Sequence, residues 1–202
     1  AGLVGKFLSE KWMKVSCEVD LASEFRYRSP VLGPRDLMVV ISQSGETADT
    51  IAAMRYAKSK GTHVLAICNA VGSTINREAH GTLLTHCGPE IGVASTKAFT
   101  AQLTVLYLLA LYGSLIRETL PKDEVRQIMT SLLHLPTLIT DTLARENQVA
   151  VLAKKFLDLF GFFLFQADKM PCPLPRRSFS RGRGHAWIQP DFSFHLINWF
   201  FH

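Results

Sequence analysis

The apolar run Leu37-Met38-Val39-Val40-Ile41 is followed by Ser42-Gln43-Ser44-Gly45-Glu46-Thr47 and then by a helical pattern reaching about Lys60. This stretch constrains the chain more than any other. A short apolar run that ends in turn residues reads as a strand, here a buried one. The hydroxyl-rich loop leads into a helix N-terminus, where the first backbone N–H groups lack intrahelical acceptors and the helix dipole adds partial positive charge. Such a junction suits an anion. Ser42, Ser44 and Thr47 add hydroxyls able to donate to phosphate oxygens, and Gly45 lets the backbone come close. The loop holds no Lys, which separates it from phosphate loops that end in Gly-Lys-Ser/Thr. The competing reading of the hexapeptide is an ordinary Ser helix cap.

The same punctuation recurs along the chain. Leu3, Val4, Phe7, Leu8, Trp12 and Met13 sit at helical spacing within residues 1–13, with no cap before Ala1. Residues 15–19 alternate like a short strand, and Asp20 is placed to cap a brief helix. Strands are expected at 37–42, 63–69 and 81–87. Helices are expected at 46–60, with Gly61 as its stop, at a Ser73-capped segment ending at Ala79, and from Ser95 or Thr96 to about Arg117. That last helix is apolar on most faces, which predicts deep burial. Residues 123–143 read as a helix kinked at Pro136, and 147–156 continue helical. Strands alternating with helices predict an α/β fold, a three-layer αβα sandwich around a parallel sheet. Ligands of such sheets sit at the carboxyl ends of strands, where strand order reverses.

Composition adds boundaries. The 202 residues allow one domain plus an extra, or two small ones. The formal net charge is +5, and the Lys and Arg of residues 1–156 are scattered without a patch, so no nucleic-acid footprint is expected there; Arg176, Arg177, Arg181 and Arg183 in the tail are the exception. Cys17, Cys68, Cys87 and Cys172 form no Cys-x-x-Cys pair, which argues against a zinc site or redox dithiol and fits a reducing, cytoplasmic setting. The longest uninterrupted apolar stretch, residues 105–112, is too short to cross a bilayer.

A second loop-to-helix junction follows the third strand: Gly88-Pro89-Glu90-Ile91-Gly92-Val93-Ala94-Ser95-Thr96-Lys97. Ser95 and Thr96 are placed to cap the helix, and backbone groups at 93–95 can reach sugar hydroxyls. The strings ISQSGETADT at 41–50 and GPEIGVASTKAFTAQL at 88–103, about 45 residues apart, together resemble the first sugar isomerase (SIS) domain of the glutamine:fructose-6-phosphate aminotransferases. The resemblance covers about residues 1–156. It implies a flavodoxin-like parallel sheet of five strands, and a ligand that is fructose 6-phosphate or glucosamine 6-phosphate. It carries the phosphate site onto Ser42, Gln43, Ser44 and Thr47, and the sugar contacts onto Val93 and Ser95. It implies no organic cofactor or metal, and a homo-oligomer for the complete enzyme of hexosamine synthesis.

Three departures qualify it. The family's first strand, with its Cys-Gly-Thr-Ser type loop, has no counterpart before Ala1. These 202 residues hold nothing resembling the family's glutaminase domain. Nor do they hold a counterpart of the second SIS domain, which in the family supplies a Glu, a His and a Schiff-base lysine. Lys97 does not align with that lysine, so no catalytic residue is assigned, and aminotransferase activity is not expected of this chain alone. A non-catalytic module that senses phosphosugars is the alternative reading.

Residues 157–202 break the pattern. Nine of the thirteen Phe fall in these 46 residues, beside a Pro-rich segment at 170–175 and Arg/Gly/Ser at 178–184. The break reads as an irregular non-family tail from an alternative reading frame, retained intron or gene-model error. The other readings are a small RNA-binding segment around Arg-Gly-Arg-Gly and an apolar anchor too short to span a bilayer.

Overall fold

A computed structural model describes residues 1–91 and 95–155. The expectations for the tail and for Val93 therefore lie outside the described residues. The chain divides into two compact units between Ile128 and Met129.

Three strands form the sheet of the first unit: β1 (Leu37–Ser42), β2 (His63–Cys68) and β3 (Gly81–Leu84), in the order β1-β2-β3. Both pairings are parallel, with Ser42 opposite Cys68 and Cys68 opposite Leu84. All three carboxyl ends therefore lie on one edge. The strand order does not reverse among the described strands, so the expected switch point is not seen there. Of the five strands the resemblance implied, three fall among the described residues.

Helices of the first unit are α1 (Gly2–Leu8), continued by a π-helical turn at Ser9–Met13, α2 (Ala22–Phe25), α3 (Ala48–Ser59), α4 (Thr74–Glu78) and α5 (Lys97–Ile116). One core joins α3 and α4 to the sheet: Val40, Met54, Ala57, Val64, Ala66 and Ile75 are buried together. Val64 and Ala66 alternate with Ile67, which is also fully buried and belongs to the opposite face of β2. The helix α5 contacts β2 and packs with α1 and the π turn, where Trp12 meets Tyr107 edge-on at 5.5 Å. Helices thus flank an open parallel sheet, the αβα arrangement expected.

Several expectations change in detail. Residues 15–19 are not a strand. A strand needs a neighbour to complete its hydrogen bonds, and among the described residues none runs beside this segment. Side chains hold it instead: Lys6 Nζ donates to Cys17 O at 2.7 Å, and Arg28 pairs with Glu18 and Asp20. Asp20 does not cap α2 in the usual way; its carboxylate accepts from Leu21 N. Strand β3 stops at Leu84 because its partner ends at Cys68 and the chain turns away, with His86 at φ 49°.

The helix α5 is less buried than expected. Ala98, Gln102, Leu106, Ala110, Leu111 and Ser114 are buried, while Tyr112 and Ile116 are about two-thirds exposed. Among the described residues one face of α5 is fully buried and the others are half-buried or exposed. By length and composition α5 is also apolar enough to cross a bilayer, a property the uninterrupted stretch at 105–112 did not suggest and one that core helices share.

Beyond α5, the expected kinked helix is two helices: α6 (Lys122–Leu133) and α7 (Leu135–Leu143), joined at His134. Pro136 lies in the first turn of α7, where its missing N–H costs nothing. The helix α8 (Glu146–Lys154) follows. The second unit begins within α6.

Candidate functional site

Ser42 ends β1 and is buried. Its Oγ accepts from Gly45 N at 3.0 Å and lies 3.3 Å from Thr47 Oγ1. The exposed Ser44 accepts from Glu46 N at 3.2 Å through its Oγ. These bonds curl residues 42–47 into a tight loop, with Gly45 at φ 66°. Helix α3 therefore starts at Ala48, two residues later than the sequence pattern suggested. Thr47 is its N-cap residue but makes no side-chain cap bond. Among the described residues nothing accepts from the N–H groups of Ala48, Asp49 and Thr50, and the first bond of this turn runs from Ile51 N to Thr47 O. Three aligned donors at the start of a twelve-residue helix, beside the hydroxyls of Ser44 and Thr47, form an anion-binding arrangement.

The loop after β2 braces the first loop. Asn69 N donates to Gln43 O at 3.3 Å, and Ile75 N donates to Gly45 O at 3.0 Å. Glu46 Oε1 accepts from Thr74 N at 2.7 Å. Ser73 caps α4 as expected, its Oγ accepting from Asn76 N. The Thr74 backbone N–H and hydroxyl, with the Arg77 charge, hold the Glu46 carboxyl below its ordinary range.

Asn69 also reaches the exit of β3. Its Nδ2 donates to Gly88 O at 2.7 Å, and its Oδ1 accepts from Thr85 Oγ1 and Cys87 N. One residue thus ties all three strand ends together. Sequence reasoning passed over it as the last residue of an apolar strand; an Asn just past such a run, followed by a small-residue turn, was the available signal.

At the start of α5 the expected caps differ. Thr96 is the N-cap residue without a side-chain cap bond. The carboxylate of Glu90 does that work, accepting from Ala98 N at 3.1 Å and from Thr96 N at 3.2 Å. These donors hold its pKa below the ordinary carboxylate value. Ser95 Oγ is buried, and no hydrogen-bond partner reaches it among the described residues. Lys97 is exposed in the first turn. Ser42, Gln43, Ser44 and Thr47 are brought together in one loop, and Ser95 follows the strand whose exit Asn69 joins to it. Among the described residues no three His, Cys, Asp or Glu side chains gather as a metal site.

A family model described as the SIS domain matches residues 1–112. The chain belongs to the SIS domain family. Relatives extend the similarity past that segment. The chain is 48% identical over 158 residues to a glutamine–fructose-6-phosphate aminotransferase (isomerizing) of Corynebacterium efficiens, covering 78% of this chain and 25% of the relative. It is 50% identical over 155 residues to the enzyme of the same name from Clostridium tetani, covering 77% and 26%. Among solved structures it resembles the C-terminal domain of glucosamine-fructose-6-phosphate aminotransferase from Francisella tularensis. There the TM-score is 0.75 at 37% identity, covering 78% of this chain and 45% of that one. The chain spans about a quarter of the length of the aminotransferases it matches, so the SIS unit is the part of those proteins it represents.

Proposed function

We propose that this SIS unit holds the phosphate of fructose 6-phosphate or glucosamine 6-phosphate, as part of a glutamine:fructose-6-phosphate aminotransferase serving hexosamine synthesis. The observation that carries the reading is the set of unclaimed N–H groups at Ala48, Asp49 and Thr50 beside the hydroxyls of Ser44 and Thr47. A phosphate dianion there receives backbone donors and the positive end of the helix dipole together. Ser44 and Thr47 donate their hydroxyl protons, and Gln43 offers its side-chain amide. Ser42, already bonded to Gly45, holds the loop in shape. Val93 and Ser95 contact the sugar, the buried Ser95 hydroxyl gaining the partner it lacks.

The chemical role is positioning. In the complete enzyme a proton moves between C1 and C2 of the opened sugar, which needs an acid/base group held at the reacting carbons. A fixed phosphate sets where those carbons lie. Residues of this chain supply the clamp and no acid/base step. The same reading places the chain in the cytoplasm, where Cys17, Cys68 and Cys87 remain free thiols, and in a homo-oligomer with the rest of the enzyme.

Calorimetric titration of the 202-residue chain with glucosamine 6-phosphate and fructose 6-phosphate tests it. Both ligands should bind, and glucosamine without phosphate should not. Ser44→Ala and Thr47→Ala should each weaken binding about tenfold or more, the scale of one hydrogen bond to a charged group. Absence of heat at millimolar hexose phosphate would refute the clamp. No glucosamine 6-phosphate should form from fructose 6-phosphate and glutamine with this chain alone.

A further inference from the structure

The loop at 42–47 is held from outside as well as from within, and a residue not counted among the ligands does the holding. Glu46 extends its carboxylate to the N-terminus of α4, where Oε1 accepts from Thr74 N at 2.7 Å. The next two donors of α4 are claimed as well: Ile75 N by Gly45 O and Asn76 N by Ser73 Oγ. Arg77 covers the same turn, donating to Gly72 O and Thr74 Oγ1. Every early N–H of α4 is therefore claimed, the first two by the neighbouring loop and the third by the helix's own cap, whereas among the described residues the early N–H groups of α3 are left open.

Glu46 is exposed and lies one residue before the anion-binding hydroxyl of Thr47. As a mere charge it would repel a phosphate. Its presence there calls for a compensating role, and the geometry supplies one. Gly45 leaves no room for a side chain, since a Cβ there would collide with Ser73 and Cys68. Gly45 O and the Glu46 side chain are both bonded to α4, which ties the two residues before Thr47 to that helix.

We propose that Glu46 is a positioning residue of the phosphate clamp, whose carboxylate caps α4 and so fixes the backbone that presents the start of α3 to an anion. This rests on the clamp proposed above. It adds that clamp geometry depends on a bond between two loops that ligand contacts do not reveal.

The test separates position from charge. Glu46→Ala removes the acceptor. Glu46→Gln keeps a side-chain oxygen for Thr74 N and removes only the charge. Thr74→Pro removes the donor instead, at a first helical position where proline fits and after Ser73, whose ψ of 163° suits a residue before proline. Thr74→Ala keeps the N–H, loses only the hydroxyl, the lesser of the two Thr74 donors to Glu46, and is the reference for Thr74→Pro. Amide hydrogen exchange of the free 202-residue chain reads the loop without ligand, and calorimetry with glucosamine 6-phosphate reads the clamp.

In Glu46→Ala and in Thr74→Pro, the amides of Gly45 and Ile75 should exchange about tenfold faster and the ligand should bind about tenfold more weakly, the size of one charge-assisted hydrogen bond. Glu46→Gln and Thr74→Ala, which keep the backbone bond in weakened form, should each fall between the parent and these two variants. The Glu46→Ala/Thr74→Pro double variant should be no worse than either single one. Unchanged exchange in Glu46→Ala, or tighter binding as loss of a repelling charge would give, overturns the proposal. If exchange responds as expected while the parent binds no hexose phosphate, the clamp reading fails and the strut stands. Should Glu46→Ala not fold, Thr74→Pro against Thr74→Ala decides the matter alone.

Discussion

Gly45 is the residue on which the loop turns. Its φ of 66° is a conformation L side chains rarely adopt. A Cβ added there would collide with Ser73 and lie 2.7 Å from Cys68 Sγ. Gly45→Ala should therefore destabilise the chain by about 2 kcal/mol or more, combining backbone strain with a collision against buried neighbours. Urea unfolding of the variant checks this; a parental midpoint would show that the loop relaxes freely. Asn69 is the other such residue. Asn69→Ala strands Gly88 O, Cys87 N and the Thr85 hydroxyl at once. It should weaken hexose phosphate binding severalfold through the exit of β3, with Ser44 and Thr47 untouched, as titration of the variant would show.

At the scale of elements, helix–helix contact depends on glycine. A Cβ at Gly5 of α1 would lie 2.9 Å from Leu106 Cδ2 of α5. Gly5→Ala gains helix propensity of up to about 1 kcal/mol but overpacks a buried contact, which typically costs about 1–3 kcal/mol. A net loss of stability is expected. Adding Leu106→Ala should make Gly5→Ala neutral or favourable, a sign reversal that a double-mutant unfolding cycle detects. The short helix α4 illustrates a different dependence. Five residues cannot sustain a helix in isolation. It persists because Glu46, Gly45 and Ser73 accept its first N–H groups, and because Arg55 and Lys58 of α3 reach Glu78 at its other end.

At the scale of the whole molecule, three carboxylates among the described residues are held below the ordinary carboxylate range by native partners. Thr74 does this for Glu46, Arg55 for Glu78, and Ala98 N with Thr96 for Glu90. A group whose folded pKa is depressed stabilises the fold fully above its unfolded pKa, here about 4.3, and loses that contribution as pH falls through the folded value. Stability should thus be insensitive to these groups from pH 7 down to about 5 and fall below about pH 4.3. Urea midpoints measured across that range should show the drop, and Glu46→Gln should make it shallower. Ligand binding should track the same edge, since two of the three carboxylates brace the loops on either side of the site.

The pattern of apolar runs, glycines and hydroxyls determined the α/β class, the strand β1 to its last residue, the Ser73 cap and the location of both loops. These are local matters: a run of Leu, Met, Val and Ile before Ser has few conformations that bury it. Tertiary structure decided what each polar group is bonded to. Ser42 turned out to brace the loop and Glu90, eight residues before the Ala98 N–H that donates to it, to cap α5 in place of Thr96. Residues 15–19 stay outside the sheet because a strand exists only with a neighbour beside it. One face of α5 remains open for a like reason. Amphipathic pattern tells which residues avoid water, but only the assembled layers determine which of them find cover.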